Sequence, residues 1–321
     1  VIKSMSYKTR LIYNPTAGPW DMTRLLKRLA TYLQGRGWAV ELVETQKAGD
    51  ATWFARQAAR AGLDMVLVAG GDGTINEAVN GLVGSNTTLG IVPVGTGNIL
   101  AHQLRMPILS VITPFHVAEV GDALLQSRIQ RVDVGIVNGR HFICWAGVGL
   151  DAEITTYMEP RSRYTKRLRT LPYILAAFTV ASEFKGVRAR ISVEGRTINT
   201  RALLVLASNI QLYAAFFNVA RHAYMDDGML DIFIFKGLGG AYALRHAFHL
   251  FSGRYLRDPA VVQILARRVQ VETSPHVAVH LDGDPLGETP ALISLDPAAM
   301  RFLVPPQAPG DLFYQPPELV L

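Results

Sequence analysis

The sequence has very little cysteine, because Cys144 is the only one among 321 residues. A disulfide framework and a cysteine-rich zinc site both need more than one cysteine, so both are excluded. A chain of this length does not need such support, because folding buries about three quarters of the surface that the unfolded chain exposes. A single cysteine is also compatible with a reducing cytoplasm, where we expect the protein to reside.

Long apolar runs are missing as well. No stretch approaches the ~18 uncharged apolar residues that a transmembrane helix needs, and the best one, from Leu171 to Ser182, is too short. The first ten residues, VIKSMSYKTR, lack the apolar centre of a signal peptide. The sequence therefore predicts no membrane span and no leader, and it allows peripheral association with a membrane.

Acidic residues are fewer than basic ones, 26 against 32, which gives a net charge of +6. A positive excess suits an anionic partner such as a nucleotide, a nucleic acid or an acidic membrane, although it could also serve solubility alone. No helix-turn-helix pattern and no basic stretch interleaved with aromatic residues is present. We therefore expect no nucleic-acid partner. A homodimer is allowed but not required.

Short apolar runs alternate with helical patterns over the first hundred residues. The predicted strands are 11–13, 38–43, 65–68 and 89–92. Two helices are predicted at 22–33 and 75–82, and a third is predicted to begin after Asp50, which would be its N-cap. This β-α-β-α order predicts a parallel sheet with helices on both faces.

The pattern changes after about residue 130. Alternating apolar and polar residues predict antiparallel strands at 187–193, 198–207, 230–235, 268–271 and 277–281, with one helix at 239–251 among them. This part is expected to form a β-sandwich or flattened barrel. The segment 299–304 predicts a further strand, and the proline-rich end from Pro305 is expected to be irregular.

The strongest local motif is the segment Val68-Ala-Gly-Gly-Asp-Gly-Thr-Ile-Asn-Glu77, in which a buried strand runs into three glycines and a helix. Glycines let backbone N–H groups approach a phosphate closely, and a helix N-terminus favours an anion. Thr74 and Glu77 also have the spacing of a capping box. An ordinary glycine-rich turn is the alternative. Asp72 could contact a Mg²⁺-nucleotide through water, act as an acid or base, or bond its own backbone.

Two other loops have similar chemistry. Asn14-Pro15-Thr16-Ala17-Gly18 follows the first strand, and Pro93-Val94-Gly95-Thr96-Gly97-Asn98 follows the fourth. The carboxyl ends of parallel strands are where open α/β sheets bind ligands. Three such loops at one edge are difficult to explain as chance turns, so they predict a ligand site there.

This ordered set resembles the diacylglycerol kinase catalytic family, which includes sphingosine kinases and the bacterial YegS-like lipid kinases. Four later segments extend the resemblance along nearly the whole chain: RVDVG at 131–135, GVGLDA at 147–152, DDGML at 226–230 and DGD at 282–284. NAD kinases and phosphofructokinases are more distant relatives that also have GGDG loops.

The resemblance implies an NAD-kinase-like α/β nucleotide-binding domain at 1–130, to which 297–321 returns, followed by an antiparallel β-sandwich lipid-substrate domain at 131–296. It implies ATP and Mg²⁺ as cofactors. The residues that it assigns to the nucleotide are Asn14, Pro15, Thr16, Ala17, Gly18, Thr45, Gly70, Gly71, Asp72, Gly73, Thr74, Asn76, Glu77, Gly95, Thr96 and Asn98.

Two catalytic residues follow from the resemblance. Asp72 would hold the nucleotide-bound Mg²⁺ indirectly. Asp284 falls at the position of the family's catalytic acidic residue, whose carboxylate deprotonates the lipid hydroxyl. The family's usual residue at 284 is glutamate, so the reach here is shorter by roughly 1.5 Å. The chain also has Ile99 where many bacterial members have aspartate, which makes this loop closer to that of the sphingosine kinases.

A metal site and a membrane contact complete the expectations. By resemblance, the Asp227 carboxylate and the carbonyls of Tyr224 and Met229 would bind a structural Mg²⁺, whereas an ordinary hairpin turn is the alternative. The basic residues Arg161, Arg163, Lys166, Arg167 and Arg169 precede an apolar stretch and would suit an anionic lipid surface, although a solvated face would explain them too.

Together these features predict an ATP-dependent lipid kinase that acts on diacylglycerol or a related glycerolipid. The alternatives are a kinase for a sphingoid base or another lipid alcohol, an NAD-kinase-like enzyme for a soluble metabolite, and a non-catalytic protein that binds lipid or nucleotide.

Overall fold

The computed structural model describes residues 6–18, 20–94, 98–109, 116–158, 184–213 and 217–321. Contacts within the chain divide it into two compact units. Unit 1 consists of Val1–Asp133 and Ala298–Leu321, and unit 2 is Val134–Pro297. Unit 1 alternates strands with helices, whereas unit 2 consists mostly of strands.

Unit 1 contains the predicted β-α-β-α order. Its elements are β1 (Lys8–Tyr13), α1 (Thr23–Gln34), β2 (Ala39–Glu44), α2 (Asp50–Arg60), β3 (Met65–Gly70), α3 (Asp72–Leu82), β4 (Thr88–Pro93), α4 (Ile99–Gln103), α5 (His116–Leu125) and most of β5 (Arg128–Val137). The first four strands are parallel, in the order β4-β3-β1-β2. The predicted parallel sheet is therefore confirmed.

Burial in this sheet follows strand position. Every residue of β3 and β4 is buried, as expected for strands covered on both faces, whereas β2 at the edge is largely exposed. Gly90 allows tight packing on β4, since a Cβ there would lie 2.6 Å from a methyl carbon of Leu67. The last part of β17 (Ala291–Val304) joins the sheet, with Phe302 paired in parallel with Leu89.

Unit 2 is built largely from antiparallel strands. Its elements are β6 (Arg140–Phe142), β7 (Trp145–Gly149), α6 (Leu150–Met158), β8 (Val187–Val193), β9 (Arg196–Ser208), β10 (Leu212–Tyr213), β11 (Phe217–Asn218), β12 (Leu230–Lys236), α7 (Gly239–Phe251), β13 (Val261–Ala266), β14 (Arg268–Ser274), β15 (Ala278–Leu281), β16 (Asp284–Glu288) and the first part of β17. The five strands and the helix predicted for this region are confirmed.

The long strand β9 organises unit 2. Its first half pairs with β8, and its second half lies between β7 and β12. Strand β8 continues through β14 to β17, and β7 continues through β15 to β16. Alternate residues of these strands form one apolar core, which includes Val148, Ile191 and Ile232. This arrangement agrees with the predicted β-sandwich.

Two predicted helix caps are wrong. Helix α3 begins at Asp72 with Gly71 as its N-cap, so Thr74 lies inside the first turn and no capping box forms. The Glu77 carboxylate instead accepts a hydrogen bond from the Ala51 N–H at 3.1 Å. Helix α2 likewise has Gly49 as its N-cap, and Asp50 is its first residue.

The C-terminal segment is more regular than predicted. A short 3₁₀-helix covers Gly310–Leu312, and β18 (Leu319–Val320) pairs in antiparallel fashion with β5. The guanidinium groups of Arg131 and Arg301 both pair with the Glu318 carboxylate. These contacts hold the end of the chain against unit 1, although its prolines predict no regular structure.

Candidate active site

The nucleotide loops predicted from the sequence follow three neighbouring strands of unit 1. Tyr13 at the end of β1 lies opposite Ala69, and Gly70 at the end of β3 lies opposite Pro93. The three loops therefore leave the same edge of the parallel sheet. Gly95 and Thr96, in the third loop, lie outside the described residues.

Asn14 links the first two loops. Its backbone N–H donates to the Ala69 carbonyl at 3.0 Å, and its side-chain Nδ2 donates to Thr74 Oγ1 at 3.3 Å. Its Oδ1 accepts both the N–H and the hydroxyl of Thr16, at 2.9 and 2.8 Å. One asparagine thus fixes Pro15-Thr16-Ala17-Gly18 relative to the start of α3.

The glycine-rich loop turns directly from β3 into α3. A Cβ on Gly70 would lie 2.5 Å from Thr74 Cβ, so only glycine lets the helix start this close to the strand. The first-turn N–H groups of an α-helix have no partner within the helix, and the helix dipole gives them partial positive charge. The loop from Gly70 to Thr74 therefore has the chemistry of a phosphate cradle.

Asp72 connects the second loop to the third. Its Oδ1 accepts a hydrogen bond from the Ile99 N–H at 2.8 Å, at the first residue of α4. Asn98, just before it, has the left-handed φ of 48°. The carboxylate therefore has a structural partner on the loop after β4, and its position at the phosphate cradle also suits contact with a cation through water.

The remaining predicted nucleotide residues differ in their surroundings. Thr45 follows β2 beside β1, with its N–H donating to the Tyr13 carbonyl at 2.9 Å. Asn76 is buried and accepts a hydrogen bond from the Asn80 amide at 3.2 Å. The Asn76–Asn80 bond lies within α3, whereas the bond between Glu77 and Ala51 connects α3 to α2. Their role at the nucleotide stays a prediction.

In unit 2, the predicted base Asp284 starts strand β16. It lies opposite Leu281 in a hairpin whose turn is Asp282-Gly283, with φ values of 47° and 87°. Two consecutive positive φ angles define the tight turn that asparagine or aspartate followed by glycine favours. The Asp284 side chain is 37% exposed, and its Oδ2 lies 3.3 Å from Nη2 of Arg140.

Arg140 is held in place by a second hairpin. It follows the turn Asn138-Gly139, and the Asn138 amide bonds the Pro290 carbonyl at 3.2 Å and the Leu292 N–H at 2.9 Å. These bonds fix the turn to the start of β17 and to the residue just before it. The turn therefore places the positive charge of Arg140 beside the Asp284 carboxylate. Sequence reasoning missed Arg140, because 144 positions separate it from Asp284.

Asp282 anchors the hairpin that carries Asp284. Its carboxylate is buried and accepts three backbone N–H groups, from Ile143 at 2.9 Å, Cys144 at 2.9 Å and Trp145 at 3.0 Å. A carboxylate with three N–H donors is strongly stabilised in its charged form. Asp282 thus connects the turn to the chain just before β7 and positions Asp284.

Replacement of Asp282 by alanine is expected to destabilise unit 2. The substitution leaves three buried N–H groups without their acceptor, and we expect it to lower the free energy of unfolding by about 3–5 kcal/mol. Urea denaturation followed by tryptophan fluorescence measures the change. Glu288→Ala, which removes an exposed carboxylate from β16, is the matched control. A loss below about 1 kcal/mol for Asp282→Ala would contradict this role.

The segment Gly147-Val-Gly-Leu-Asp151 supports a buried polar network. Asp151 Oδ2 lies 2.8 Å from Nε2 of His280 and accepts the Tyr213 hydroxyl at 2.9 Å. A Cβ on Gly147 would lie 2.2 Å from Asp151 Oδ2, which explains the glycine. Burial, and then the Asp151 charge, raises the pKa of Tyr213 well above its usual value. Since His280 belongs to β15, the network supports the strand before the Asp284 turn.

The predicted metal segment forms a turn beside β12. Asp227 Oδ1 accepts the Met229 N–H at 3.0 Å, and Gly228 between them has a φ of 75°. Burial raises the pKa of the Asp227 carboxyl, and the adjacent Asp226 charge adds to the effect. A nearby cation would offset both costs, so the electrostatic setting fits a hard cation.

Comparisons with known proteins cover residues of both units. Residues 8–137 match the diacylglycerol kinase catalytic domain, and residues 145–304 match the YegS C-terminal NAD kinase beta sandwich-like domain. A diacylglycerol kinase of Bacillus subtilis (strain 168) is 32% identical over 88% of this chain and 91% of its own length. A diacylglycerol kinase of Staphylococcus carnosus (strain TM300) is 29% identical over 89% of this chain and 92% of its own length.

Solved structures show the same likeness. A crystal structure of a diacylglycerol kinase from Bacillus anthracis strain Sterne superposes with a TM-score of 0.75 at 26% identity, covering 95% of this chain and 99% of that one. The matching family and these relatives therefore show a lipid kinase, a class of enzyme that uses a nucleotide. The chain belongs to the diacylglycerol kinase family.

Proposed function

We propose that this protein transfers the γ-phosphoryl group of Mg-ATP to a hydroxyl of diacylglycerol or a related glycerolipid. The observation that carries the proposal is the edge of the unit 1 sheet, where Asn14 and Asp72 bond three loops together around the start of α3. Relatives with the name diacylglycerol kinase support the choice of acceptor.

Unit 1 would bind the nucleotide. The N–H groups of Gly71, Asp72 and Gly73 would surround the phosphates, and Asp72 would hold the nucleotide-bound cation through water. Mg²⁺ supplies positive charge that neutralises the phosphate oxygens during transfer. Because Asn14 and Asp72 fix the loops before the nucleotide binds, little reorganisation is needed at the moment of reaction.

Unit 2 would supply the base. As the lipid hydroxyl oxygen forms its bond to the γ-phosphorus, the bond from phosphorus to the bridging oxygen of ADP breaks, and the hydroxyl proton moves to the Asp284 carboxylate. Arg140 would pair with that carboxylate and orient it before transfer. The Asp282 anchor and the Asp151–His280 contact would position the hairpin on which Asp284 lies.

A structural cation would bind at the DDGML turn. We propose the Asp227 carboxylate and the carbonyls of Tyr224 and Met229 as its protein ligands. A hard cation accepts such a mixture of carboxylate, carbonyl and water oxygens.

Membrane association belongs to the same proposal, because the lipid substrate resides in a bilayer. Among the described residues, no helix has the length and apolar character needed to span a membrane. The basic residues Arg161, Arg163, Lys166, Arg167 and Arg169 lie outside the described residues. Their docking on anionic lipid, the cytoplasmic location and a homodimer stay predictions.

The proposal is tested by incubating the purified protein with γ-labelled ATP and diacylglycerol in mixed micelles. We expect label in phosphatidic acid, loss of label when EDTA removes divalent cations, and recovery when Mg²⁺ is added in excess. GTP in place of ATP tests the choice of donor. Absence of labelled lipid with ATP and Mg²⁺, from a protein whose folding is verified, would contradict the proposal.

A further inference from the structure

Helix α7 presents an apolar face to solvent. The side chains of Leu244, Phe248 and Phe251 are 61%, 65% and 77% exposed. They lie four and three positions apart, so they share one face of the helix. Isolated exposed apolar residues are common, but a contiguous stripe of large ones marks an interaction surface.

The opposite side of the helix is firmly attached to unit 2. His246 is buried, with Nε2 2.7 Å from the Lys236 carbonyl and its ring 5.3 Å from that of Phe235. The buried Asp258 carboxylate accepts two bonds from the Arg245 guanidinium, at 2.8 and 2.7 Å. The apolar stripe is therefore displayed on a fixed helix.

Arginines surround the C-terminal end of the stripe. Arg221, Arg254 and Arg257 are exposed, and none of them pairs with an acidic side chain in the part of the chain that the structure describes. A Cβ on Gly253 would lie 2.5 Å from the Arg221 guanidinium, which places that arginine at the turn after α7. The surface therefore combines exposed aromatic and aliphatic side chains with positive charge.

The positive charge of these arginines indicates which kind of partner binds the apolar stripe. A second copy of this chain, docked through the same face, would bring two sets of these arginines together. The nearby acidic residue Asp258 is fully buried and already pairs with Arg245, so it cannot neutralise them. An anionic lipid surface would accept the arginines at its headgroups and the apolar stripe at the boundary with the acyl chains.

We propose that the outward face of α7, made of Leu244, Phe248 and Phe251 with Arg221, Arg254 and Arg257 beside it, is a docking surface for anionic membranes. This inference rests on the proposed function in one respect, because an enzyme whose lipid acceptor lies in a bilayer must bind the membrane to reach it. The surface shares no residue with the basic segment 161–169. It attaches unit 2 to the bilayer with the helix axis near the membrane plane.

Co-sedimentation with vesicles tests the proposal. We expect the wild-type protein, without nucleotide, to bind vesicles of phosphatidylglycerol and phosphatidylcholine more tightly than vesicles of phosphatidylcholine alone. The triple variant Leu244→Ser, Phe248→Ser, Phe251→Ser should bind the anionic vesicles about tenfold less tightly or worse. The variant Arg254→Gln, Arg257→Gln should lose affinity for anionic vesicles selectively, and added salt should reduce this difference.

Trp53→Ser is the matched control, because it removes an exposed aromatic ring from α2 in unit 1 and should leave vesicle binding unchanged. Thermal melting verifies that each variant folds. Wild-type vesicle binding by the folded triple variant would overturn the proposal. So would a change from dimer to monomer in that variant without any loss of vesicle binding, because the face would then belong to a second copy.

A second readout separates this inference from the proposed kinase activity. Phosphorylation of a short-chain diacylglycerol, supplied as dissolved monomers, does not require a membrane. The α7 variants should retain that activity while they lose activity on vesicles. If wild-type protein phosphorylates the monomeric lipid but binds no vesicles, the docking surface is refuted and the kinase assignment stands. If it binds vesicles but phosphorylates no lipid, the kinase assignment is refuted and the docking surface stands.

Discussion

Replacement of Asp284 by asparagine is expected to lower kcat for lipid phosphorylation by about 10²- to 10⁴-fold, the range that a positioned general base contributes. Asparagine has nearly the same shape and can still contact Arg140, but its amide cannot accept the hydroxyl proton. The KM for ATP should change little, because Asp284 belongs to unit 2 and the nucleotide loops belong to unit 1. Steady-state kinetics with labelled ATP measures both constants.

Two further variants make this experiment specific. Asp284→Glu restores the residue that the family usually has and should retain more activity than Asp284→Asn, because it keeps an ionisable group. Glu288→Gln removes an exposed carboxylate from the same strand and should behave as wild type. A folded Asp284→Asn enzyme with wild-type kcat would show that another group accepts the proton.

Replacement of Asp72 is expected to have a comparably large effect through the nucleotide. Asp72→Ala removes both the acceptor for the Ile99 N–H and the charge that would hold the cation. We expect kcat to fall by about 10²-fold or more, because stabilisation of developing charge by fixed groups is a major term in catalysis. Asp72→Asn keeps an oxygen for Ile99 but loses the charge, so it separates the two roles.

The dependence on Mg²⁺ discriminates between these roles. If the charge matters, Asp72→Asn should need a higher Mg²⁺ concentration for half-maximal activity and should lose most of its kcat. If only the bond to Ile99 matters, Asp72→Asn should resemble wild type. Asp50→Asn is the matched control, because Asp50 also accepts backbone N–H groups in unit 1, from Gln46 and Lys47.

The strands of both units could be predicted from the sequence because burial imposes a strong pattern on them. Strand β3 is buried at every position, and β8 alternates buried with exposed or partly exposed residues. Helix ends were harder to predict. The Thr74–Glu77 spacing suggests a capping box, yet Gly70 permits the helix to start three residues earlier, and Glu77 contacts α2 instead.

The motifs of the site were also visible in the sequence, whereas the residues that support them were not. Three glycine- or asparagine-containing loops after parallel strands could be placed at one edge by topology alone. Arg140 and Asp282 could not be assigned, because their partners lie about 140 residues away along the chain. Such contacts depend on the register of strands, which a single sequence does not reveal.

The polar network around Asp151 illustrates the same limit. The spacing of Gly147, Gly149 and Asp151 resembles a family motif, but nothing in the sequence pairs it with His280. The structure shows why the motif contains Gly147, because a larger side chain there would collide with the contact between Asp151 and His280. Its glycine is therefore a packing requirement of unit 2.

Transfer of labelled γ-phosphate from Mg-ATP to a panel of acceptors tests the central claim most directly. The panel contains diacylglycerol, phosphatidylglycerol, sphingosine and monoacylglycerol in mixed micelles, with NAD as the soluble acceptor, and the Asp284→Asn variant serves as the blank. We predict strong labelling of diacylglycerol or another glycerolipid by the wild-type enzyme and almost none by the variant. Label in NAD alone, or equal labelling by wild type and variant, would contradict the account.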